Sequence, residues 1–241
     1  MSFLRRSSTV GVVALVALSA LATSQAMATS KSGGDYDRVR ALYGDSILFD
    51  VYRDGTRVGS QRVDFEEKDG ALAVDINFQL VIKALYITFY KMNYSSDSLW
   101  KDGQLVSLSS RTDQNGKVRT VTASLKDGKL VGKGPEGPLS APLGTYPTDH
   151  WNAGVIGSKE LVNTINGRVN EVRLVPKGYE QVSTERGPVR AMRYQYEGEI
   201  QNEVWYDAEG RWVHMRFLGE DGSVIEFKCA KCFPAAKGSA S

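Results

Sequence analysis

Several things are scarce in this chain, and each scarcity removes a class of function. There are two cysteines and two histidines among 241 residues, so a metal site built on the cysteine pair needs ligands from elsewhere. No G-x-S-x-G, H-E-x-x-H or P-loop occurs, which removes the familiar signatures of a serine hydrolase, a zinc protease and a nucleotide-binding loop. Charge of one sign is also missing. Residues 1–28 hold two arginines and no acid, so the rest of the chain balances at 28 basic against 28 acidic residues. A neutral chain with interspersed charges has no electrostatic footprint for nucleic acid.

A long apolar run is absent too. The longest, Val10–Ala22, falls short of the roughly 20 residues that span a bilayer. It follows Arg5 and Arg6 and precedes Ala26-Met27-Ala28, the layout of a secretory leader with an A-x-A cleavage signal. Residues 1–28 are therefore expected to be a signal peptide, and the remainder a periplasmic protein of a Gram-negative envelope with no transmembrane segment. Export makes a disulfide between Cys229 and Cys232 chemically reasonable.

What the chain does have is turns. Asp54-Gly55, Asp69-Gly70, Asp102-Gly103, Asn115-Gly116, Asp127-Gly128, Asn166-Gly167 and Asp221-Gly222 suit the positive backbone angles of tight hairpins. The segments between them have strand length and are rich in β-branched and aromatic residues. Leu72, Val74, Ile76, Phe78 and Leu80 alternate with Ala73, Asp75, Asn77 and Gln79, the pattern of a strand buried on one face. The spacing predicts an all-β protein: a large rolled antiparallel meander of spiral-roll or half-barrel type, with few short helical turns. Tyr36–Tyr43 is expected to be one of those turns. The expected divisions are a lead-in over 29–45, an N-terminal meander over 46–133 and a connecting loop over 134–158. A C-terminal meander over 159–229, in the same sheet or domain, and a disordered tail over 230–241 complete the chain. Leu161–Ile165 reads equally as a helical turn or a strand. Leu80–Tyr90, the most apolar stretch outside the leader, is expected to form two strand segments buried on both faces, or else an apolar wall for a greasy ligand.

Candidate chemistry is sparse. Gly44-Asp45-Ser46-Ile47 is similar to the Gly-Asp-Ser-Leu block of the SGNH hydrolases, but it leads into a strand and no D-x-x-H follows. Asp149 and His150 are adjacent in sequence, which does not let the acid orient the imidazole as a triad requires. Cys229-Ala230-Lys231-Cys232 is followed by Phe233 rather than the histidine of a haem attachment site, and it ends a strand rather than opening a helix. A structural disulfide is the expectation there, and soft-metal binding a lesser alternative.

Two turns set expectations for the C-terminal strands. A three-residue loop Glu220-Asp221-Gly222 pairs Phe217 with Ile225, Met215 with Phe227 and Val213 with Cys229, so that the apolar faces coincide. A four-residue loop Asp207–Gly210 would set Trp205 opposite Trp212 and Glu203 opposite His214, giving one face two indoles and an acid–imidazole pair. The segment Tyr146–Asn152 concentrates side chains with chemical handles in what reads as a loop. His150, Trp151, Asn152, Trp205, Trp212, His214 and Glu203 are accordingly the candidate ligand-binding residues. The plainer reading is that Trp151 plugs the gap between two β-halves, with Asn152 and Thr148 satisfying backbone groups.

FDVYRDGTRVGSQRVDF (Phe49–Phe65), LWKDGQLVSLSSRTDQNG (Leu99–Gly116), PTDHWN (Pro147–Asn152) and VWYDAEGRWVHMRF (Val204–Phe217) together resemble the domain-of-unknown-function family 6134, uncharacterised secreted proteobacterial β-proteins. The resemblance implies an envelope location and a rolled antiparallel sheet, and it carries over no functional residue. No catalytic residue, resident metal or cofactor is expected. The leading expectation is a non-enzymatic protein that binds a lipid-like molecule or an envelope protein. An envelope structural or assembly factor is the alternative, followed by soft-metal binding and a hydrolase using His150.

Overall fold

The computed structural model describes residues 34–84 and 87–235; the expected leader and residues 236–241 of the expected tail lie outside them. One helix, α1 (Asp35–Tyr43), precedes the strands β1 (Ser46–Arg53), β2 (Thr56–Lys68), β3 (Ala71–Ala84), β4 (Ile87–Lys101), β5 (Gln104–Gln114), β6 (Lys117–Lys126), β7 (Lys129–Gly134) and β8 (Gly137–Pro142). There follow β9 (Tyr146–Pro147), a 3-10 turn (Ala153–Val155), β10 (Glu160–Val162), β11 (Val169–Thr184), β12 (Gly187–Gly198), β13 (Asn202–Asp207), β14 (Trp212–Leu218) and β15 (Val224–Lys231). The fold is an all-β antiparallel meander in which, among the described residues, only β9 and β10 pair in parallel.

The hairpins follow from their turn residues. Asp54, Asp69, Asp102, Asn115 and Asp127 all have φ near +50°, and the glycine after each lies between +74° and +85°. These are the angles of two-residue turns whose twist matches that of the flanking strands. They join β1 to β2, β2 to β3, β4 to β5, β5 to β6 and β6 to β7, and help set which side chains face inward. In β3 that set is Leu72, Val74, Ile76, Phe78 and Leu80, all buried, while Asp75, Asn77 and Gln79 are exposed. Each buried side chain of this size contributes about 1.5–3 kcal/mol.

The strands form a single sheet in the order β8-β7-β6-β5-β4-β3-β2-β1-β15-β14-β13-β12-β11-β10-β9. The two outermost strands are therefore neighbours in sequence, joined by residues 143–145. So short a link cannot cross the width of a flat sheet, and the sheet has to roll until its edges meet. The seam is bridged by the β10–β11 loop: Ser110 Oγ donates to Thr164 O at 2.5 Å. Gly134 lies so close to Gly167 that a Cβ on Gly134 would come within 2.6 Å of Asn166 O.

α1 lies across one end of the roll. Acids in its first turn and Arg40 in its last suit its dipole, and Gly44 at φ +79° ends it. Its last residue, Tyr43, is fully buried against Phe65. No helix among the described residues is long and apolar enough to cross a membrane.

Three expectations need correction. The apolar stretch around residues 80–90 is a β3–β4 hairpin that projects from the roll: Leu80 is buried, but Phe89 is 64 % exposed and Lys83 and Thr88 are exposed as well. Residues 134–158 are not one loop, because Gly134 pairs with Gly137 to open the β7–β8 hairpin. The C-terminal end is ordered through residue 235: β15 runs to Lys231, and Phe233 sits 5.2 Å and 5.0 Å from the guanidinium carbons of Arg186 and Arg211. Leu161 and Val162 belong to strand β10.

Candidate functional site

The segment from Thr148 to Trp151 enters the roll instead of running over its surface. A buried backbone must find partners for its polar groups, and here the surrounding sheet and helix supply them. Thr148 N–H donates to Val162 O at 3.0 Å, the Tyr206 hydroxyl donates to His150 O at 2.8 Å, and the Tyr43 hydroxyl donates to Trp151 O at 2.8 Å. Tyr43 Oη in turn accepts from Trp212 N–H at 2.8 Å, so one hydroxyl links α1, the inserted segment and β14. His150 has φ +62°, a left-handed conformation unusual for a residue with a side chain. It sends neighbouring side chains in different directions.

Trp151 points toward the α1 end. It is 2 % exposed, with ring centroids 5.4 Å from Phe65 and 5.3 Å from Trp100, and it plugs that end of the roll. Asn152 beside it accepts Gly154 N–H at 2.9 Å and caps the 3-10 turn. His150 points sideways: its Nδ1 lies 3.1 Å from the Tyr196 hydroxyl, and its ring stands 5.8 Å from that of Trp212. Burial lowers its pKa to about 4, so the imidazole is neutral at ordinary pH.

On the other side, Asp149 is part of the wall of a cavity of about 410 Å³ within the roll. The cavity opens at the end opposite α1, between the inner face of the β3–β4 hairpin, the end of β14 and residues 199–202. Ile76, Phe78, Met215, Phe217 and Phe227 form its apolar wall, while Tyr94, Thr148, Asn163 and Thr164 supply polar groups around Asp149. The Asp149 side chain is 6 % exposed, and neither carboxylate oxygen has a hydrogen-bond partner. Burial raises its pKa to about 7. The Tyr94 hydroxyl is driven far above its usual range by burial first and by the Asp149 charge second.

The remaining candidates lie elsewhere. A bulge at Trp205/Tyr206 shifts the β13–β14 register, so Trp205 stands opposite His214, Glu203 opposite Arg216 and Tyr206 opposite Trp212. The turn supplies one residue of the shift and the bulge the other. Asp207 N–H bonds Arg211 O, and the Asp207 carboxylate accepts from the N–H groups of Glu209 and Arg211, which makes the loop one residue tighter than expected. The two indoles are thereby separated: Trp212 faces the cavity, while Trp205 packs 4.6 Å from His214 and donates to Glu180. Glu203 accepts from Arg193 at 2.7 Å and from Arg216 Nε at 2.6 Å. Of the seven candidate ligand residues, His150 and Trp212 line the cavity and the other five do not. The β14–β15 register has Phe217 opposite Ile225 and Met215 opposite Phe227, as the three-residue loop implies.

Cys229 and Cys232 are joined by a disulfide. Glu185 brings a carboxylate oxygen close to both sulfurs, but the bond leaves neither sulfur as the thiolate a metal would need. Glu185 serves the backbone instead, accepting from Cys232 N–H at 2.9 Å and Phe233 N–H at 3.1 Å.

A sequence model of the family described as "Domain of unknown function (DUF6134)" matches residues 49–230. The chain belongs to that family. As a DUF6134 member it has a fold shared beyond the family's own sequences. It is similar to the crystal structure of a beta-barrel-like protein of domain of unknown function DUF1849 from Brucella abortus, at a TM-score of 0.56. The likeness covers 78 % of this chain and 96 % of that one at 14 % identity, a level that speaks to fold alone. No curated protein matches the chain.

Sequence reasoning passed over Asp149, Tyr94, Asn163 and Thr164. The signal in the sequence is a carboxylate beside a histidine in the Pro147–Asn152 segment, a pairing that a triad does not use.

Proposed function

We propose that this DUF6134 protein binds an amphiphilic small molecule inside its rolled sheet. The observation that carries the reading is the cavity of about 410 Å³, within the 300–1,000 Å³ range of small-molecule sites, in an interior where a packed roll would hold side chains. An apolar wall with a few convergent polar groups is how such sites hold a ligand's body and fix its orientation. The leader-like N-terminus supports an exported, periplasmic setting, where a lipid-like ligand would be met.

Native mass spectrometry after gentle purification is expected to show a retained adduct, and a hydrophobic dye is expected to bind the emptied protein. Replacing Met215 with tryptophan, which fills the cavity from the β14 wall, is expected to abolish both. A clean protein mass together with no dye binding by the unaltered chain would count against the proposal.

A further inference from the structure

The charge pattern of the cavity selects among amphiphiles. Its lining includes two acids, Asp149 and Glu199, and no lysine or arginine. Glu199 is already compensated, accepting from Arg168 at 2.7 Å and from Glu171 N–H at 2.8 Å. Asp149 is not: both oxygens are buried and neither has a partner. His150 does not supply the missing charge, because burial keeps its ring neutral at ordinary pH, with Nδ1 3.1 Å from the Tyr196 hydroxyl. A buried carboxylate without a counter-charge or hydrogen bonds is costly, and a ligand able to provide both gains what the empty protein lacks.

We infer that the ligand's head is a protonated amine, and that Asp149 is the residue that receives it while the apolar wall around Phe78 and Phe227 takes the body. This rests on the binding reading above and adds the class of molecule bound. An ammonium group carries three donors and a full positive charge, so it can satisfy the carboxylate lone pairs and cancel the charge in one contact. An alcohol would donate one hydrogen bond and leave the charge standing. A fatty acid or an anionic phospholipid would bring a second negative group into a site with no cation to meet it.

The pH behaviour supports the assignment. Burial holds Asp149 at about 7 in the empty protein, so ammonium binding is expected to tighten as pH rises through neutrality and the carboxylate ionises. The other titratable groups that face the cavity do not change charge there. Burial pushes Tyr94 far up, burial lowers His150 to about 4, and the Glu171 N–H holds Glu199 below its ordinary value.

Decylamine, decanol and decanoate, which share one chain length, test this by titration calorimetry on the full chain. At about pH 8 decylamine is expected to bind about tenfold or more tighter than decanol, the scale of one charge-assisted contact, and decanoate weakest. The preference is expected to shrink toward about pH 5.5. Asp149→Asn is expected to remove the preference for decylamine over decanol. Should that variant fail to fold, the ranking of the three probes and its pH dependence in the unaltered protein decide the matter. Equal binding of decylamine and decanol at both pH values, or a preference for decanoate, would overturn the amine assignment and leave the binding reading standing. Binding of none of the three would bring down the binding reading and this inference with it.

Discussion

Two clusters in this protein look alike on paper. On the outer face of β12–β14, Trp205, His214 and Glu203 gather with Arg193 and Arg216; inside the roll, Asp149, His150 and Tyr94 gather with Trp212. In the outer cluster the charges are paired with one another, Arg193 with both Glu180 and Glu203. Glu203 is shared by two arginines, Trp205 donates to Glu180, and His214 lies 3.7 Å from Glu226. The inner cluster leaves a carboxylate with nothing to hold. Residue types alone do not separate a brace from a binding site; what separates them is whether the polar atoms are satisfied.

That contrast can be broken most severely at its support. Trp151→Ala removes the plug between Phe65 and Trp100, and is expected to cost about 3–5 kcal/mol, read as a lowered denaturant midpoint. A loss below about 1 kcal/mol would mean that the inserted segment is not anchored by this ring.

The next effect is expected at Asp149 itself. Its pKa is raised from 3.8 to about 7, so between those values the folded state holds a proton that the unfolded chain has released, and stability falls as pH rises. His150 runs the other way. Its pKa is lowered from 6.5 to about 4, so in that window the unfolded chain holds the extra proton, and stability rises with pH. The two slopes oppose one another in the native sequence. Asp149→Asn is expected to stabilise the empty protein by about 2–4 kcal/mol above neutrality. It should also unmask a rise of about 3 kcal/mol between about pH 4 and 6.5 from the histidine. Denaturant titrations across pH check this, and a flat profile for the variant would show that His150 is not the opposing group.

Smaller effects sharpen the outer half of the comparison. Changing both Cys229 and Cys232 to serine is expected to cost about 2 kcal/mol or less, since the closed loop is short, with thermal melting as the measure. Glu203→Gln is expected to cost about 1–2 kcal/mol, because Arg193 and Arg216 keep partial access to solvent, and to leave binding of all three ten-carbon probes unchanged. Altered binding would place the outer cluster in the site after all.

The hairpins were legible in the sequence because their information is local. Asp-Gly and Asn-Gly pairs specify two-residue turns, and the turns set which of Leu72 through Leu80 face inward. The β14–β15 register could be read the same way. The β13–β14 register could not, because it depends on how the Asp207 carboxylate folds back onto Glu209 and Arg211. Phe89 reads as core by composition and is exposed because its hairpin outruns the roll. Asp149 was hidden for a deeper reason: its burial is created by strands distant in sequence closing around residues 148–151, and no spacing within PTDHWN encodes that enclosure.

The strand order has a consequence for how the molecule is made. β15, the last strand among the described residues, belongs in the middle of the sheet, between β1 and β14. A nascent chain that has not reached Val224 can assemble two arcs but cannot join them, and each arc presents a raw margin of unpaired backbone to its surroundings. That strand is a keystone, so a chain that stops before it should yield aggregates instead of a slightly smaller version of the same protein.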